Sequence, residues 1–482
     1  MKQVHKKSDD EAVNQLLVAA YRQRTDLAWD RAEAQQPQCG FGQLGICCSH
    51  CYDGPCRINP FGSDEQRTIC GRAKSDLAGG SLVRSVADGS LALLKLAREF
   101  GAEVSADDLA AVMTSEDEML GNGPARLQAL GGLAAKALDA IAQAKRQTYG
   151  ADQPGVSKVN LGALNAQAVN VVVHGHVAPG VIQALTGAAA KSSATVNLSA
   201  VCGADAGGRL ALPVLTNYES QEAVLLTGAV DLLVVGSQCV MPAMIVLAAK
   251  LNVAVVEASA LKEAAAVEAA LQTASEAFRR RAGKAVNIPP VVRPLHIGGI
   301  DGGLTDALKA SYAKGVVQGV VYLGGCGSFG STQDTVSVQL ARQLLKDGYV
   351  VVTAGCAGVS LAKAGMTDPA YDEANPALRA ALPAGLPAVV YIGACHDVAG
   401  FLGVAEALKD SAVPVFAVMP QITHHKTLAT AAAFAAKGIT TLIGLEGVFT
   451  DAATRQSLGR DGILPLAELA KGPKGWNEAA AN

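Results

Sequence analysis

The placement of the eleven cysteines constrains this chain more than any other feature of its sequence. Six of them lie between positions 39 and 70, none follows until Cys202, and the other five occur singly up to Cys395. The first residues have no apolar core of signal-peptide length, so we expect a cytoplasmic protein. Because that compartment is reducing, metal binding or catalysis is a better prediction for these thiols than disulfide formation.

Charge and hydropathy argue against two classes of partner. The net charge of the 482 residues is −3, and acidic and basic residues are interspersed without a basic stripe. No segment has 18 apolar residues in succession. We therefore expect no nucleic-acid partner and no membrane span.

The fold predicted from the hydrophobic pattern is α/β with three domains. A helix is expected over 8–35, opened by a capping box of Ser8 and Glu11, and residues 71–150 show helical periodicity. Residues 1–150 are therefore predicted to form a helical domain that encloses the cysteine-rich loop. Later in the chain, short apolar runs alternate with Ala-rich helical stretches, which is typical of parallel sheets covered on both faces. This pattern predicts two Rossmann-like, doubly wound domains, over 151–290 and 291–482.

The predicted strands are VNVVV (169–173), ATVNL (194–198), VDLLVV (230–235), VAVVE (253–257), VVQGVVYL (316–323), YVVVT (349–353), AVVYI (388–392), VPVFAV (413–418) and ITTLIG (439–444). The Pro-rich segment NIPPVVRP (287–294) is predicted to separate the two α/β domains.

The cysteines of the first group predict an iron–sulfur site. A cubane [4Fe–4S] cluster needs four thiolates around a small volume. Four of the cysteines supply these thiolates: Cys48, Cys51, Cys56 and Cys70. Nearby Gly and Pro residues allow the backbone to wrap closely around a cluster. Cys39 and Cys47 remain, and two thiolates complete a cluster only if a second subunit brings the same pair across a two-fold axis. The alternatives are a zinc site, which would leave two of the six unused, or structural thiols.

The single cysteines all follow predicted strands. Each of these cysteines lies just beyond the carboxyl end of a predicted strand: Cys202, Cys239, Cys326, Cys356 and Cys395. His176 lies in the same way after the strand at 169–173. Ligand crevices form at this edge of open α/β sheets, so we expect these side chains to converge on one site. A lone cysteine is more often a small buried hydrophobe, but five in the same position favour a cluster larger than a cubane or of mixed metals.

Several motifs resemble the anaerobic nickel–iron carbon monoxide dehydrogenases, which are related to the hybrid-cluster proteins. They are CCSHCYDGPCRI, VHGH, VGSQCVMP, GGCG, TAGC, IGAC and PQITHHK, and they occur in this order through most of the chain. Each motif is weak alone, whereas the set is highly specific. The hybrid-cluster proteins use carboxylates at some of the ligand positions in these motifs. Cysteine at position 202 therefore favours the dehydrogenase type.

The resemblance implies a role for every cysteine. Cys39 and Cys47 would hold an Fe–S cluster shared across a homodimer, and the other four cysteines of the first group would hold one [4Fe–4S] cluster per subunit. A Ni–Fe–S active-site cluster would be held by His176, Cys202, Cys239, Cys326, Cys356 and Cys395. In that cluster, His176 and Cys202 would bind the iron outside the cubane, and Cys395 would bind nickel. Lys426 of PQITHHK would be the active-site lysine.

The chain departs from the family in its acid–base residues. The segment SLVRSVADGSLALL (81–94) falls where the family has a histidine-rich stretch that carries protons, and it contains no His. His396, beside Cys395, is not typical of the family, and His424 and His425 precede Lys426. These three histidines are the predicted replacements, although His424 and His425 also fit ordinary surface residues.

The resemblance implies reversible oxidation of CO with water to CO₂, with a ferredoxin-like protein accepting the electrons. A second hypothesis is a nickel-free, oxo-bridged hybrid-type cluster that reduces a small nitrogen or oxygen compound, which the missing histidines favour and Cys395 opposes. A third is a non-catalytic electron-transfer or redox-sensing protein, although a relay cluster needs only four ligands.

Overall fold

The structure is a computed structural model. It describes residues 6–44, 46–49, 51–59, 61–63, 65–113, 123–151, 153–202, 210, 212–298, 300, 302–371, 373, 375–449, 451–473 and 476. The chain divides into two compact units. Unit 1 comprises residues 1–34, 99–102 and 141–413, and unit 2 comprises residues 35–98, 103–140 and 414–482. The three predicted domains follow the chain continuously, whereas these units do not, and the three-domain division stays a prediction.

Unit 1 contains two sets of strands. The first is a four-stranded parallel sheet in the order β5-β4-β6-β7, and the second has the order β9-β10-β11-β8-β3. The strands are β3 (Gly155–Val159), β4 (Val169–His174), β5 (Val196–Val201), β6 (Leu232–Val235), β7 (Ala254–Glu257), β8 (Arg293–Ile297), β9 (Gly319–Leu323), β10 (Tyr349–Thr353) and β11 (Val389–Tyr391).

The helices of unit 1 cover these sheets. They are α1 (Glu11–Arg22), α2 (Ala28–Ala34), α7 (Pro179–Lys191), α8 (Gln221–Leu226), α9 (Pro242–Lys250), α10 (Ala264–Arg281), α11 (Gly302–Ala313), α12 (Thr335–Lys346), α13 (Gly355–Lys363), α14 (Pro376–Ala381) and α15 (Ala399–Leu408). Two apolar cores lie against the first sheet. One includes Val172, Leu233 and Met244, and the other includes Val171, Val173 and Ile182. Strands that are buried on both faces in this way read as continuous apolar runs.

Unit 2 combines helices with three parallel strands in the order β12-β13-β14. Its elements are α3 (Gly40–Gln43), β1 (Cys47–Cys48), β2 (Cys56–Arg57), α4 (Lys74–Glu99), α5 (Ala106–Val112), α6 (Gly123–Tyr149), β12 (Val415–Met419), α16 (His425–Ala436), β13 (Thr440–Ile443), α17 (Ala452–Arg460) and β14 (Ile463–Pro465). The end of α4 at Glu99 and the residues of α6 from Ile141 onward belong to unit 1.

The α/β fold class is confirmed, and each of the nine predicted strands corresponds to an observed one. Within each unit the predicted strands pair in parallel, as expected. Strands β3 and β8 were not predicted, and they pair antiparallel, with Ser157 opposite Leu295. The segment 287–294 was predicted to be only a break, but β8 begins within it at Arg293, directly before Pro294. Since β8 reaches β11 through only the pair Ile297–Tyr391, the proline removes no ladder hydrogen bond there.

The predicted helix over 8–35 is two helices, because the chain turns at Arg24, whose φ is +50°. The predicted capping box is also wrong. Asp10 is the N-cap residue of α1, and its carboxylate accepts a hydrogen bond from the backbone N–H of Ala12. The Ser8 hydroxyl accepts instead from the N–H of Asp10.

Over the described part of the chain, none of the helices combines the length and the apolar character needed to span a bilayer.

Candidate metal centre

Six predicted ligands lie beyond the carboxyl ends of six strands of unit 1. In the first sheet, His174 lies opposite both Val201 and Val235, so β4, β5 and β6 end level with one another. In the second, Thr353 lies opposite both Leu323 and Tyr391, so β9, β10 and β11 also end level. The residues that follow are His176, Cys202 and Cys239 in the first sheet, and Cys326, Cys356 and Cys395 in the second.

Short contacts join donors from the two sheets. Nε2 of His176 lies 3.7 Å from Sγ of Cys239 and 3.7 Å from Sγ of Cys395. Sγ of Cys202 lies 3.2 Å from Sγ of Cys356. These contacts join five of the six predicted ligands, and two of the pairs come from positions more than 150 residues apart. The complete six-ligand set stays a prediction.

The backbone is specialised where it presents these thiols. Cys202, Gln238 and Cys239 have φ values of +61°, +62° and +59°, in the left-handed region that non-glycine residues rarely adopt. Each such residue costs roughly 1–3 kcal/mol, and such outliers cluster at functional sites. Gly355 is also required, because a Cβ there would lie 2.6 Å from the Cβ of Cys395.

The crowding of the thiols disfavours their ionised forms. The contact with Cys356, burial and the nearby Cys239 and Cys395 together raise the pKa of Cys202 well above its usual value. Burial and four of the cysteines raise the pKa of Tyr218 to about 12. A group of thiolates in this position needs positive charge to offset its repulsion, and metal ions that bind soft sulfur ligands supply it.

His396 lies at the same centre. It is buried, and its ring meets the ring of His176 edge to face, with 4.7 Å between centroids. Phe100 packs against it with 5.3 Å between centroids. Nε2 of His396 lies 3.7 Å from Oδ1 of Asp397, which accepts hydrogen bonds from Lys145 at 2.8 Å on both carboxylate oxygens.

Glu219 supports the loop that carries Cys326. A Cβ on Gly327 would lie 2.0 Å from Oε2 of Glu219, and Gly327 has a φ of +88°, so a larger residue there would strain the backbone and displace the carboxyl group of Glu219. Burial, followed by the charge of Asp334, raises the pKa of Glu219 to about 9, although Lys363 and the N–H of Ser328 act against this. The side chain is therefore protonated at neutral pH.

A buried ion triad lies behind Cys356. Lys363, the last residue of α13, places Nζ 3.0 Å from Oδ2 of Asp10 and 2.6 Å from Oδ2 of Asp334. Burial alone would lower the pKa of Lys363, but these two carboxylates raise it. Ser360 of the same helix also donates to Asp334, at 2.7 Å. The helix that presents Cys356 is thus fixed at its far end by charge.

The cysteine-rich loop of unit 2 is organised by a two-residue ribbon. Strands β1 and β2 pair antiparallel, which places Cys48 directly opposite Cys56. Gly54 closes the turn between them, because a Cβ there would lie 2.9 Å from the carbonyl oxygen of Cys48. Cys51 lies in the same turn. Three of the four predicted cubane ligands therefore lie on one short hairpin.

Two exposed thiols of this loop have lowered pKa values. Hydrogen bonds from the backbone N–H groups of Gly42 and Phe41 lower the pKa of Cys39. The hydroxyl of Thr68, 3.3 Å from Sγ, and the N–H of Arg72 lower the pKa of Cys70. Thiolates are the forms that bind metals, so these environments favour coordination.

The remaining predicted catalytic residues belong to unit 2. Lys426 is buried in the first turn of α16. His425 is exposed and lies 3.4 Å from a carboxylate oxygen of Asp88. Burial, with the charges of Lys426 and His425, lowers the pKa of His424 to about 4, so this ring is a weak base at neutral pH. The assignment of these three residues to catalysis stays a prediction.

Sequence reasoning missed the supporting residues. Asp397 and Lys145 flank His396, and Glu219 and Lys363 support two ligand loops. Asp397 has one local signal, since it follows His396 directly. Lys363 lies on the same helix as Cys356, whereas Lys145 and Glu219 reach the site only through tertiary packing.

The comparisons agree with this geometry. The family model described as "Prismane/CO dehydrogenase family" matches residues 109–454, more than half of the chain. The chain therefore belongs to the Prismane/CO dehydrogenase family.

The similarity to two curated relatives extends over most of both chains. Carbon monoxide dehydrogenase 1 of Carboxydothermus hydrogenoformans is 27% identical over 91% of each chain. The carbon monoxide dehydrogenase of Rhodospirillum rubrum is 28% identical over 91% of this chain and 90% of its own. The solved structure of carbon monoxide dehydrogenase IV from Carboxydothermus hydrogenoformans superposes with a TM-score of 0.86 at 25% identity, covering 99% of both chains.

The donor set fits the cluster type that the family implies. Five thiols and one imidazole exceed the four ligands of a plain cubane. The imidazole of His176 contacts the thiols of both Cys239 and Cys395. None of the six predicted ligands is a carboxylate. Soft sulfur donors with one nitrogen suit iron and nickel rather than hard cations.

Proposed function

We propose that this protein catalyses the reversible oxidation of CO with water, CO + H₂O to CO₂ + 2H⁺ + 2e⁻. The observation that carries the proposal is the convergence of His176 with Cys239 and Cys395, and of Cys202 with Cys356, at one edge of two sheets. The relatives named carbon monoxide dehydrogenase support it, since they match 91% of the chain.

The six converging side chains would hold a Ni–Fe–S cluster. When bound, such a cluster supplies the redox-active metals at which CO and water react. The chain's own residues hold the donors in place through the strained backbone at Cys202 and Cys239 and through the close approach of Gly355 to Cys395. In this proposal Cys395 binds nickel, and His176 and Cys202 bind the iron outside the cubane.

Charge and proton handling are assigned to four further residues. Lys426 would stabilise negative charge that develops on substrate oxygen. His396, His424 and His425 are the predicted acid–base groups, and His396 is the one that lies beside His176 and Cys395. The lowered pKa of His424 weakens its case as a group that exchanges protons near pH 7.

Cys48, Cys51, Cys56 and Cys70 would hold one [4Fe–4S] cluster per subunit. Cys39 and Cys47 would share an Fe–S cluster with the same residues of a second copy, so a homodimer is part of the proposal. The exposure of Cys39, together with the exposed apolar side chains of Tyr52 and Phe61 in the same segment, supports this. We further propose a cytoplasmic protein whose electron acceptor is ferredoxin-like.

The function is tested by CO-dependent viologen reduction with anaerobically purified, nickel-replete protein. Wild-type protein should reduce the dye, and Cys395→Ala should lose activity while it retains most of its iron. Wild-type turnover in Cys395→Ala would contradict the nickel assignment. Lys346→Met, at an exposed lysine at the end of α12, is a control for handling losses and should keep parental activity.

A second candidate function follows from segment 81–94, which lacks histidine. On this hypothesis the cluster carries no nickel and reduces a small nitrogen or oxygen compound. It predicts hydroxylamine-dependent dye oxidation without nickel and no activity with CO. The two assays on the same preparation separate the functions.

The shared cluster has its own test. The double variant Cys39→Ser, Cys47→Ser should lose the iron of one cluster per dimer and keep the four-cysteine cluster. Iron analysis measures this directly, and an unchanged iron content would exclude the assignment. Cys48→Ser is the matched comparison, because it should affect the other cluster.

A further inference from the structure

The ring of His396 is buried at the candidate metal centre. It lies in unit 1, between His176 on one side and Phe100 on the other. One donor atom each from His176, Cys395 and His396 lies within 4.8 Å of the other two. Among the described residues, this is the set whose donor atoms are close enough together to bind a single metal ion.

We propose that His396 is a further ligand of the metal centre, so that His176, Cys395 and His396 form a face of two imidazoles and one thiolate. This inference deepens the proposed function and rests on it, because the added ligand belongs to the same centre. In the proposed centre Cys395 binds nickel and His176 binds the neighbouring iron, so the imidazole of His396 would complete the nickel site beside Cys395. A nitrogen donor together with thiolate sulfur suits nickel.

The surroundings of His396 match those of a metal-binding imidazole. The second ring nitrogen of such an imidazole usually donates to a carboxylate, a backbone carbonyl or a water, which fixes the orientation of the ring. Asp397 places a carboxylate next to this ring, with Oδ1 3.7 Å from Nε2 of His396. The carboxylate is itself held, because Lys145 donates to both oxygens at 2.8 Å and the N–H of Ala394 donates to Oδ2 at 2.8 Å.

The loop that carries Cys395 and His396 cannot shift easily. Gly393 has a φ of +122°, and a Cβ there would lie 2.5 Å from Oδ2 of Asp397. Gly355 excludes a side chain beside Cys395 in the same way, and its N–H donates to the carbonyl of Gly393 at 2.8 Å. Cys395 and His396 are therefore presented to the centre together. A metal-bound nitrogen cannot carry a proton, so this role would replace the predicted acid–base role of His396.

The test counts the nitrogens coupled to the centre. Holoenzyme labelled with ¹⁵N-histidine is reduced to a paramagnetic state and studied by pulsed electron–nuclear double resonance. We expect two coupled imidazole nitrogens in the wild type and one in His396→Gln. His425→Gln removes an exposed histidine of unit 2 and should keep both couplings.

Metal release gives a second readout. Since changes to groups around a bound metal typically cost about 10- to 100-fold in metal affinity, we expect nickel release to a chelator at least about 10-fold faster in His396→Gln. Should His396→Gln fail to fold, His396→Phe preserves the aromatic packing against Phe100 and predicts the same loss of one coupling.

The outcomes separate this inference from the proposed function. One coupled nitrogen or none in the wild type would overturn the role of His396, whether or not CO is oxidised. Two couplings in a protein without CO-dependent dye reduction would keep the ligand and reject the function. Two couplings that persist in both His396→Gln and His396→Phe would also overturn the inference.

Discussion

Replacing Lys363 with methionine tests the claim that buried charge holds the helix that presents Cys356. The three side chains of the triad, Lys363, Asp10 and Asp334, are almost fully buried. At about 3 Å and an effective dielectric constant of about 20, each ion pair corresponds to roughly 5 kcal/mol of Coulomb attraction, which the desolvation of the charges opposes. Removal of one partner from such a group typically costs about 3–5 kcal/mol, because uncompensated charge remains buried.

The assay is amide hydrogen exchange in α13, Gly355–Lys363, with the unfolding temperature at a fixed heating rate as support. At about 1.4 kcal/mol per factor of ten, a cost of about 3–5 kcal/mol makes opening of α13 roughly 100- to 4,000-fold more frequent. Lys346→Met is the matched control, because this lysine is exposed at the end of α12. Its exchange should equal that of the wild type.

A neutral version of the triad separates charge from packing. In Asp10→Asn, Lys363→Met, Asp334→Asn, no buried charge remains, and most of the lost protection should return. If Lys363→Met alone protects α13 as well as the wild type does, the triad does not stabilise the helix. If the triple variant is worse than Lys363→Met, the loss comes from packing and not from unpaired charge.

Two further predictions concern unit 2. Gly131→Ala should lower the free energy of unfolding by roughly 1–3 kcal/mol, because its Cβ would lie 2.4 Å from the carbonyl oxygen of Ala432. Gly132 has open space around it, so Gly132→Ala should instead stabilise α6 by about 0.5–1 kcal/mol. Thermal unfolding compares the two variants, and equal effects would refute the close helix contact at Gly131. The low pKa of His424 means that the unfolded chain takes up a proton below pH 6.5 while the folded chain does not until about pH 4, so stability is lost as the pH falls through this window. At pH 5 this lowers the free energy of unfolding by up to about 2 kcal/mol, and His424→Gln should abolish that loss. If His424→Gln shows the same difference in unfolding midpoint between pH 7 and pH 5 as the wild type, the prediction is refuted.

Strands were predictable here because their cause is local. Strand β10 occupies the predicted residues 349–353, since a run of β-branched residues buried on both faces is visible in the sequence alone. Strand β8 was missed because Pro294 reads as a break, and only its pairing with β3 shows that the proline is tolerated. The end of α1 was missed because Arg24, rather than glycine, adopts the positive φ there.

The contacts at the candidate metal centre were predictable for a related reason. The sheet fixes where each parallel strand ends, so the positions of the strand ends alone predicted the contacts that join five donors: His176, Cys202, Cys239, Cys356 and Cys395. The supporting residues were not predictable, because Asp10 and Lys363 are more than 350 residues apart and meet only through tertiary packing. The same holds for Lys145 beside Asp397.

The most direct test of the account is anomalous scattering at the nickel and iron edges from an anaerobic crystal of the nickel-replete protein. The account predicts one nickel peak beside Sγ of Cys395, with iron peaks among His176, Cys202, Cys239, Cys326 and Cys356. Iron alone at full occupancy would favour the nickel-free function. Absence of both metals from this centre, with iron present at the cysteines of unit 2, would contradict the account.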